Sequence, residues 1–163
     1  MKVTIFLGSD SDFEVVKEAL DILKEFGIYY NLEVTSAHRS PDRTVRLIRE
    51  AEQQGTEVFI AVAGKAAHLP GVVAAHTVLP VIGVPVESQA LAGLDALLSI
   101  VQMPKGIPVA TVALGKTGGA NAALLAASIL ATSDRELKGR LEAYRQKLAE
   151  KVEESSRKLK EKL

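Results

Sequence analysis

Three short segments of the 163-residue chain hold residue types that can bind an anion and move a proton. They are Gly8-Ser9-Asp10-Ser11-Asp12, Ser36-Ala37-His38-Arg39-Ser40-Pro41 and Ala63-Gly64-Lys65-Ala66-Ala67-His68-Leu69-Pro70-Gly71. In the second, Arg39 can grip phosphate oxygens bidentately. Ser36 adds a hydroxyl, and a helix opening at Pro41 would add the positive end of its dipole. His38 stands among these groups, and imidazole is the side chain suited to giving and taking protons near neutral pH. A capping His beside a surface Arg is the plainer explanation. At a sheet edge shared with two other such loops, function is the stronger one.

In the first segment Gly8 permits a tight turn, and Ser9 and Ser11 can cap a helix or hold an anion at its amino end. Asp12 suits ribose hydroxyls, as an acidic residue does in dinucleotide folds. Taken alone, Ser-Asp at a helix start signals only capping, and nothing in the sequence raises the proton affinity of Asp10 or Asp12. In the third segment Gly64, Ala66 and Ala67 would let backbone amides approach a ligand closely and keep a small neutral molecule out of water. Lys65 is the one formal charge there, and its ordinary use is to snorkel to solvent. His68 and His76 read as structural. No pair of His residues at helical spacing with a carboxylate supports a metal site. The segment from Ser99 to Gly106 reads as loop packing. Gly115-Lys116-Thr117-Gly118-Gly119 has phosphate-loop character without the full spacing.

The scaffold for these loops is legible as short β-branched runs alternating with helical stretches. Strands are predicted at 3–7, 28–34, 58–63, 81–84 and 109–114, the second more polar and so nearer an edge. Helices are predicted at 11–26, 41–54, 70–77 and 119–130, two of them opened by Pro and two followed by Gly. Such alternation implies an α/β fold with a mainly parallel five-stranded sheet covered on both faces. Right-handed crossovers make it a flavodoxin-like three-layer sandwich, whose ligands bind beyond the carboxyl ends of the strands. The three segments fall at that edge.

Residues 1–132 read as the catalytic domain and 133–163 as a long C-terminal helix. Ser133 and Glu136 form a capping-box pattern. Leu137, Leu141, Tyr144, Leu148, Val152, Leu159 and Leu163 then recur at helical spacing between charges. Such a helix would extend ~45 Å, longer than a small domain is wide. The stripe is therefore expected to pack on neighbouring subunits, with a solvated, frayed end beyond Ser155. The Ala-rich 119–130 helix points the same way, to a homo-oligomer.

Composition narrows the function. Lys plus Arg and Asp plus Glu each number 20, so the chain has no general pull toward nucleic acid or an anionic membrane. There is no Cys, which excludes thiolate metal sites and Cys nucleophiles. No apolar run reaches the ~20 residues that span a bilayer. Residues 1–7 run straight into a strand rather than a secretory signal, so a cytoplasmic enzyme is expected.

Together with Leu98-Ser99-Ile100-Val101-Gln102-Met103-Pro104 and Asn121-Ala122-Ala123-Leu124-Leu125-Ala126, the three segments resemble, in order and over nearly the whole chain, the bacterial N5-carboxyaminoimidazole ribonucleotide mutases of purine synthesis. The resemblance implies a flavodoxin-like subunit in a homo-octamer that uses no cofactor and no metal. It implies that the carboxyl on N5 of aminoimidazole ribonucleotide moves to carbon 4, with CO2 released, held and recaptured. His38 would shuttle protons, Ser9, Ser36 and Arg39 would hold the phosphate, and Asp12 the ribose. The loop from Gly64 through Lys65, Ala66 and Ala67 to His68 would enclose the carboxyl. Gly8, Ser11, Ala37 and Leu69 complete the implied substrate-binding set.

Two positions depart from the family's pattern. Ser40 replaces a Thr, and Lys65 stands where the mutases carry Gly, which could crowd the pocket. The related carboxylase branch, which uses free CO2, has a bulkier residue there followed by Ser-Asn. The run Ala66-Ala67-His68-Leu69-Pro70 is mutase-like instead. A phospho-receiver signalling domain shares the fold class but needs an Asp after the third strand, where this chain has Ala63-Gly64. A flavin carrier would want aromatic rings in the first three loops, which have none.

Overall fold

The structure, a computed structural model, describes residues 1–162; Leu163, the last member of the C-terminal stripe, lies outside the described residues. Five strands run in the order β1 (Lys2–Leu7), β2 (Tyr29–Val34), β3 (Val58–Gly64), β4 (Val81–Val86) and β5 (Ala110–Thr111). The helices are α1 (Phe13–Glu25), α2 (Pro41–Gln53), α3 (Leu69–Ala75), α4 (Leu94–Val101), α5 (Gly115–Leu130) and α6 (Arg135–Lys160). Every strand pairing is parallel, in the order β2-β1-β3-β4-β5, so the polar second strand does lie at an edge.

Side chains alternate across the sheet with the two-residue strand period. Val3, Ile5 and Leu7 of β1, with Val58, Ile60 and Val62 of β3, face α1 and α5. Phe6, Phe59 and Ala61 face α2, α3 and α4, and the Phe6 and Phe59 rings stack at 5.6 Å. Both faces are thus buried, which is why β3 and β4 read as continuous apolar runs. Thr4 and Thr56 are also buried, and their hydroxyls satisfy each other at 2.7 Å.

The Ala-rich helix earns its composition inside the subunit. The backbone of α1 passes so close to α5 that a Cβ on Gly119 would collide with the Val15 carbonyl. Ala122, Ala123, Ala126 and Ala127 continue that tight seam, while Leu124, Leu125 and Ile129 on α5 are only half-buried.

Several expectations shift. The 94–101 stretch forms α4, a helix not anticipated from the sequence. Strand β5 is shorter than 109–114, and α5 starts at Gly115, four residues before its predicted start. Asp134 rather than Ser133 caps α6, its Oδ1 accepting from Leu137 N at 2.9 Å; Ser133 Oγ donates back to Leu130 O. The helix continues to Lys160, past the expected fraying point. Its first turns belong to the subunit's own core. Leu137 and Leu141 are buried, Tyr144 meets the Phe26 ring edge-on, and Arg140 donates to Phe26 O at 2.9 Å. From Arg145 onward every described residue is exposed.

Candidate active site

Consecutive parallel strands end at the same side of the sheet, so the loops after β1, β2, β3 and β4 meet there around a cleft of about 1260 Å³. All three segments singled out by sequence line it. Gly8, Ser9, Ser11 and Asp12 come from the first. Ser36, Ala37, His38 and Arg39 come from the second, and Gly64, Lys65, Ala66, His68 and Leu69 from the third. Ala67 does not belong to the lining. Its side chain is buried in the core beneath α3, because the chain turns inward to start that helix.

The loop after β1 forms a 3-10 turn over Asp10–Asp12 before α1 begins. Ser9 caps it. The Ser9 Oγ accepts from Ser11 N, and Asp12 Oδ2 accepts from Ser9 N at 3.1 Å, a reciprocal capping box. Asp12 is buried, and burial raises its carboxyl above the ordinary 3.8. Its hydrogen bonds from Ser9 and Ser11 oppose that shift, and the neighbouring Asp10 charge adds to it. The sequence offered no hint of this, since it comes from tertiary burial.

The loop after β2 is held by Ser40, whose Oγ accepts from Ser36 N and donates to Ser36 O, both at 3.2 Å. That bracing leaves Ser36 Oγ to accept from Arg39 N at 3.1 Å. The Arg39 guanidinium reaches over β1 and donates from Nη2 to Gly8 O at 3.1 Å. The arm is exposed but already aimed at the cleft, alongside the Ser9 and Ser11 hydroxyls.

His38 and His68 meet across the cleft. His38 Nε2 lies 2.7 Å from His68 Nδ1, with the rings edge to face at 4.8 Å. His68, which reads as structural in the sequence, lines the cleft in contact with His38. His76 is elsewhere, at the end of α3.

The loop after β3 holds its own amides. Ala67 N donates to Lys65 O and His68 N to Ala66 O, both at 2.8 Å. The backbone donor expected to greet a ligand at Ala67 is therefore engaged, whereas Ala66 N has no partner among the described residues. What the loop presents is a small apolar wall, made with Ala63, Gly64 and Leu69. Lys65 takes a left-handed backbone, φ 56°, which explains why Gly suits this position.

The fourth wall was missed from sequence. Glu87, Ser88, Gln89, Ala90 and Asp95, after β4, also line the cleft, and Ser88 Oγ donates to the Asp95 carboxylate at 3.0 Å. The rule that ligands bind beyond strand ends would have found them, had the end of β4 been treated like the other three.

A hydrogen-bonded histidine pair next to an arginine, in a cleft at a sheet's carboxyl edge, is the equipment of an acid–base enzyme. The chain belongs to the AIR carboxylase family, whose family model matches residues 2–151. It is 55% identical over 159 residues to an N5-carboxyaminoimidazole ribonucleotide mutase of Pyrococcus horikoshii, covering 98% of this chain and 89% of that protein. It is 52% identical over 154 residues to the mutase of the same name from Escherichia coli K12, covering 94% and 91%. Among solved structures it resembles Treponema denticola PurE, with a TM-score of 0.88 and 33% identity over 97% of this chain and 98% of that one.

Proposed function

We propose that this protein is an N5-carboxyaminoimidazole ribonucleotide mutase, moving the N5 carboxyl of its substrate to carbon 4. The observation that carries the reading is the His38–His68 contact beside Arg39. The relatives of that name, at 52–58% identity, favour it over a free-CO2 carboxylase. So does the Ala66-Ala67-His68-Leu69-Pro70 run.

The chemistry needs one proton in two places. When the N5–carboxyl bond breaks, CO2 departs and N5 takes up a proton. When carbon 4 attacks CO2, a carbon–carbon bond forms and the carbon 4 proton must leave to restore the ring. A single group that first donates and then accepts closes the cycle. Protonated His38 donates from Nε2 to a neutral His68 Nδ1; when His38 gives its Nδ1 proton to the substrate, Nε2 still donates to His68. Either state is hydrogen-bonded, so the pair keeps its geometry through the exchange.

The rest of the cleft positions the substrate. Arg39, Ser36 and the Ser9 hydroxyl hold the phosphate. Asp12 Oδ2 is committed to Ser9 N, and Oδ1, which accepts only a long 3.5 Å bond from Ser11 Oγ, is the oxygen offered to ribose hydroxyls, with Gly8, Ser11 and Ala37 shaping the floor. Gly64, Ala66 and Leu69 supply an apolar wall in which CO2 is kept from water until recapture. No step calls for a metal or a redox group.

Assembly extends this reading. Leu148 and Val152, 44% and 70% exposed, continue the stripe of α6 past the point where its own subunit ends. A neighbouring copy covers them in a homo-oligomer, an octamer by the family pattern, working in the cytoplasm. Purified protein supplied with N5-carboxyaminoimidazole ribonucleotide alone should yield the 4-carboxy isomer well above the uncatalysed rate. Absence of that product from protein that binds the ribonucleotide would exclude the mutase assignment.

A further inference from the structure

Two of the residues that line the cleft are cationic, Arg39 after β2 and Lys65 after β3, and both are exposed. Arg39 is committed to Gly8 O and Ser36 Oγ on the β1–β2 side. Lys65 follows β3, one to two strand spacings away, roughly 5–10 Å. Among the described residues its ammonium has no hydrogen-bond or ion-pair partner, although carboxylates line the same cleft. Each of those is occupied elsewhere. Asp12 accepts from Ser9 N, and Asp95 accepts from Ser88 Oγ. Glu87 should be the natural partner, since Gly64 and Val86 pair in the β3–β4 register and Lys65 and Glu87 follow them directly. Its carboxylate turns instead to the amino end of α5, with Oε1 3.9 Å from where a Cβ on Gly115 would stand. Negative charge is favoured there by the helix dipole.

Two further observations bear on Lys65. Its left-handed backbone disfavours any residue with a Cβ, so the position keeps a side chain at the expense of local strain. The loop's neighbouring amides, Ala67 N and His68 N, are consumed by Lys65 O and Ala66 O. An anion arriving at this wall finds the Lys65 ammonium and, among the described residues, the unpartnered Ala66 N as donors.

We infer that Lys65 recognises the carboxylate of the carboxylated ribonucleotides, and so makes the cleft prefer them over aminoimidazole ribonucleotide. The inference rests on the function proposed above. A substrate with anionic groups at both ends meets a cation from each of two loops separated by β1, Arg39 for the phosphate and Lys65 for the carboxylate. Lys65 thus acts as a specificity-determining residue at a position where Gly would satisfy the backbone alone.

The test compares two ligands by calorimetry, 4-carboxyaminoimidazole ribonucleotide and aminoimidazole ribonucleotide, on wild type, Lys65→Gly and Lys65→Asn. Both replacements tolerate the left-handed backbone, so neither variant should lose its fold. The expected result is a roughly 10- to 100-fold loss of affinity for the carboxylated ligand in both variants, the scale of one charge-assisted hydrogen bond. Affinity for the decarboxylated ligand should stay within about twofold of wild type. Equal changes for the two ligands, or tighter binding of both, would show that Lys65 merely crowds the cleft and overturn the inference. Wild-type protein that binds neither ligand would instead overturn the proposed function.

Discussion

The imidazoles of His38 and His68 share a hydrogen bond of 2.7 Å although thirty residues separate them in the chain. The sheet makes the contact. β2 and β3 flank β1 and run parallel, so the loops that follow them rise on the same side and lean over the strand between. His38 sits beside Arg39, and His68 sits beside the apolar wall.

Replacing His38 with Asn keeps the size and some hydrogen bonding but removes the titrating ring. Ribonucleotide affinity should stay near wild type. Turnover should fall by roughly 10²–10⁴, the usual scale for loss of a general acid–base. Steady-state rates alongside calorimetry check both parts; a near-normal rate with intact binding would remove His38 from the proton path.

The loops around that pair were legible because their residues are short-range signals. Gly8-Ser9, Arg39-Ser40-Pro41 and Ala66-Ala67-His68 each sit at a strand end that β-branched runs mark clearly. What escaped depended on tertiary packing. Helix α4 opens through Ala92 and Gly93, both with positive φ, a start that resembles a loop. Its apolar residues, including exposed Leu94, Leu98 and Val101, are too numerous to show a clean period. Helix α5 begins amid glycines that local propensity disfavours, and the close approach of α1 overrides that cost. The burial of Ala67 and the raised proton affinity of Asp12 likewise come from what the fold places around them.

Asp12 links stability to pH. Burial raises its carboxyl above 3.8, so the folded chain holds this proton more tightly than the unfolded chain does. The resulting stabilisation is present at low pH and is lost as pH rises from 3.8 through the folded value; at neutrality the ionised group is a net cost. Asp12→Asn, which still accepts from Ser9 N, should therefore raise the urea midpoint at pH 7. The gain should vanish below about pH 4. Ribonucleotide binding should weaken roughly tenfold from loss of the charged acceptor. A urea midpoint that falls at pH 7 would mean that the ionised carboxylate is stabilising after all.

Cutting the chain after Arg145 spares Leu137, Leu141, Tyr144 and Arg140, the residues that tie α6 to its own subunit. The truncated protein should fold, with a helical circular dichroism spectrum and a cooperative melt. Its light-scattering mass should drop below that of the full chain, because Leu148 and Val152 are gone. A truncated protein with the full assembly mass would show that residues 146–163 lie outside the subunit contacts.

The assignment as a mutase turns on where the carboxyl comes from. Initial rates of 4-carboxyaminoimidazole ribonucleotide formation should be measured with N5-carboxyaminoimidazole ribonucleotide, and separately with aminoimidazole ribonucleotide plus bicarbonate at matched nucleotide concentration. The account predicts that the N5-carboxylated substrate is converted at least about tenfold faster, since CO2 generated inside the cleft need not be captured from solution. A faster rate from aminoimidazole ribonucleotide and bicarbonate would contradict it and make the protein a carboxylase.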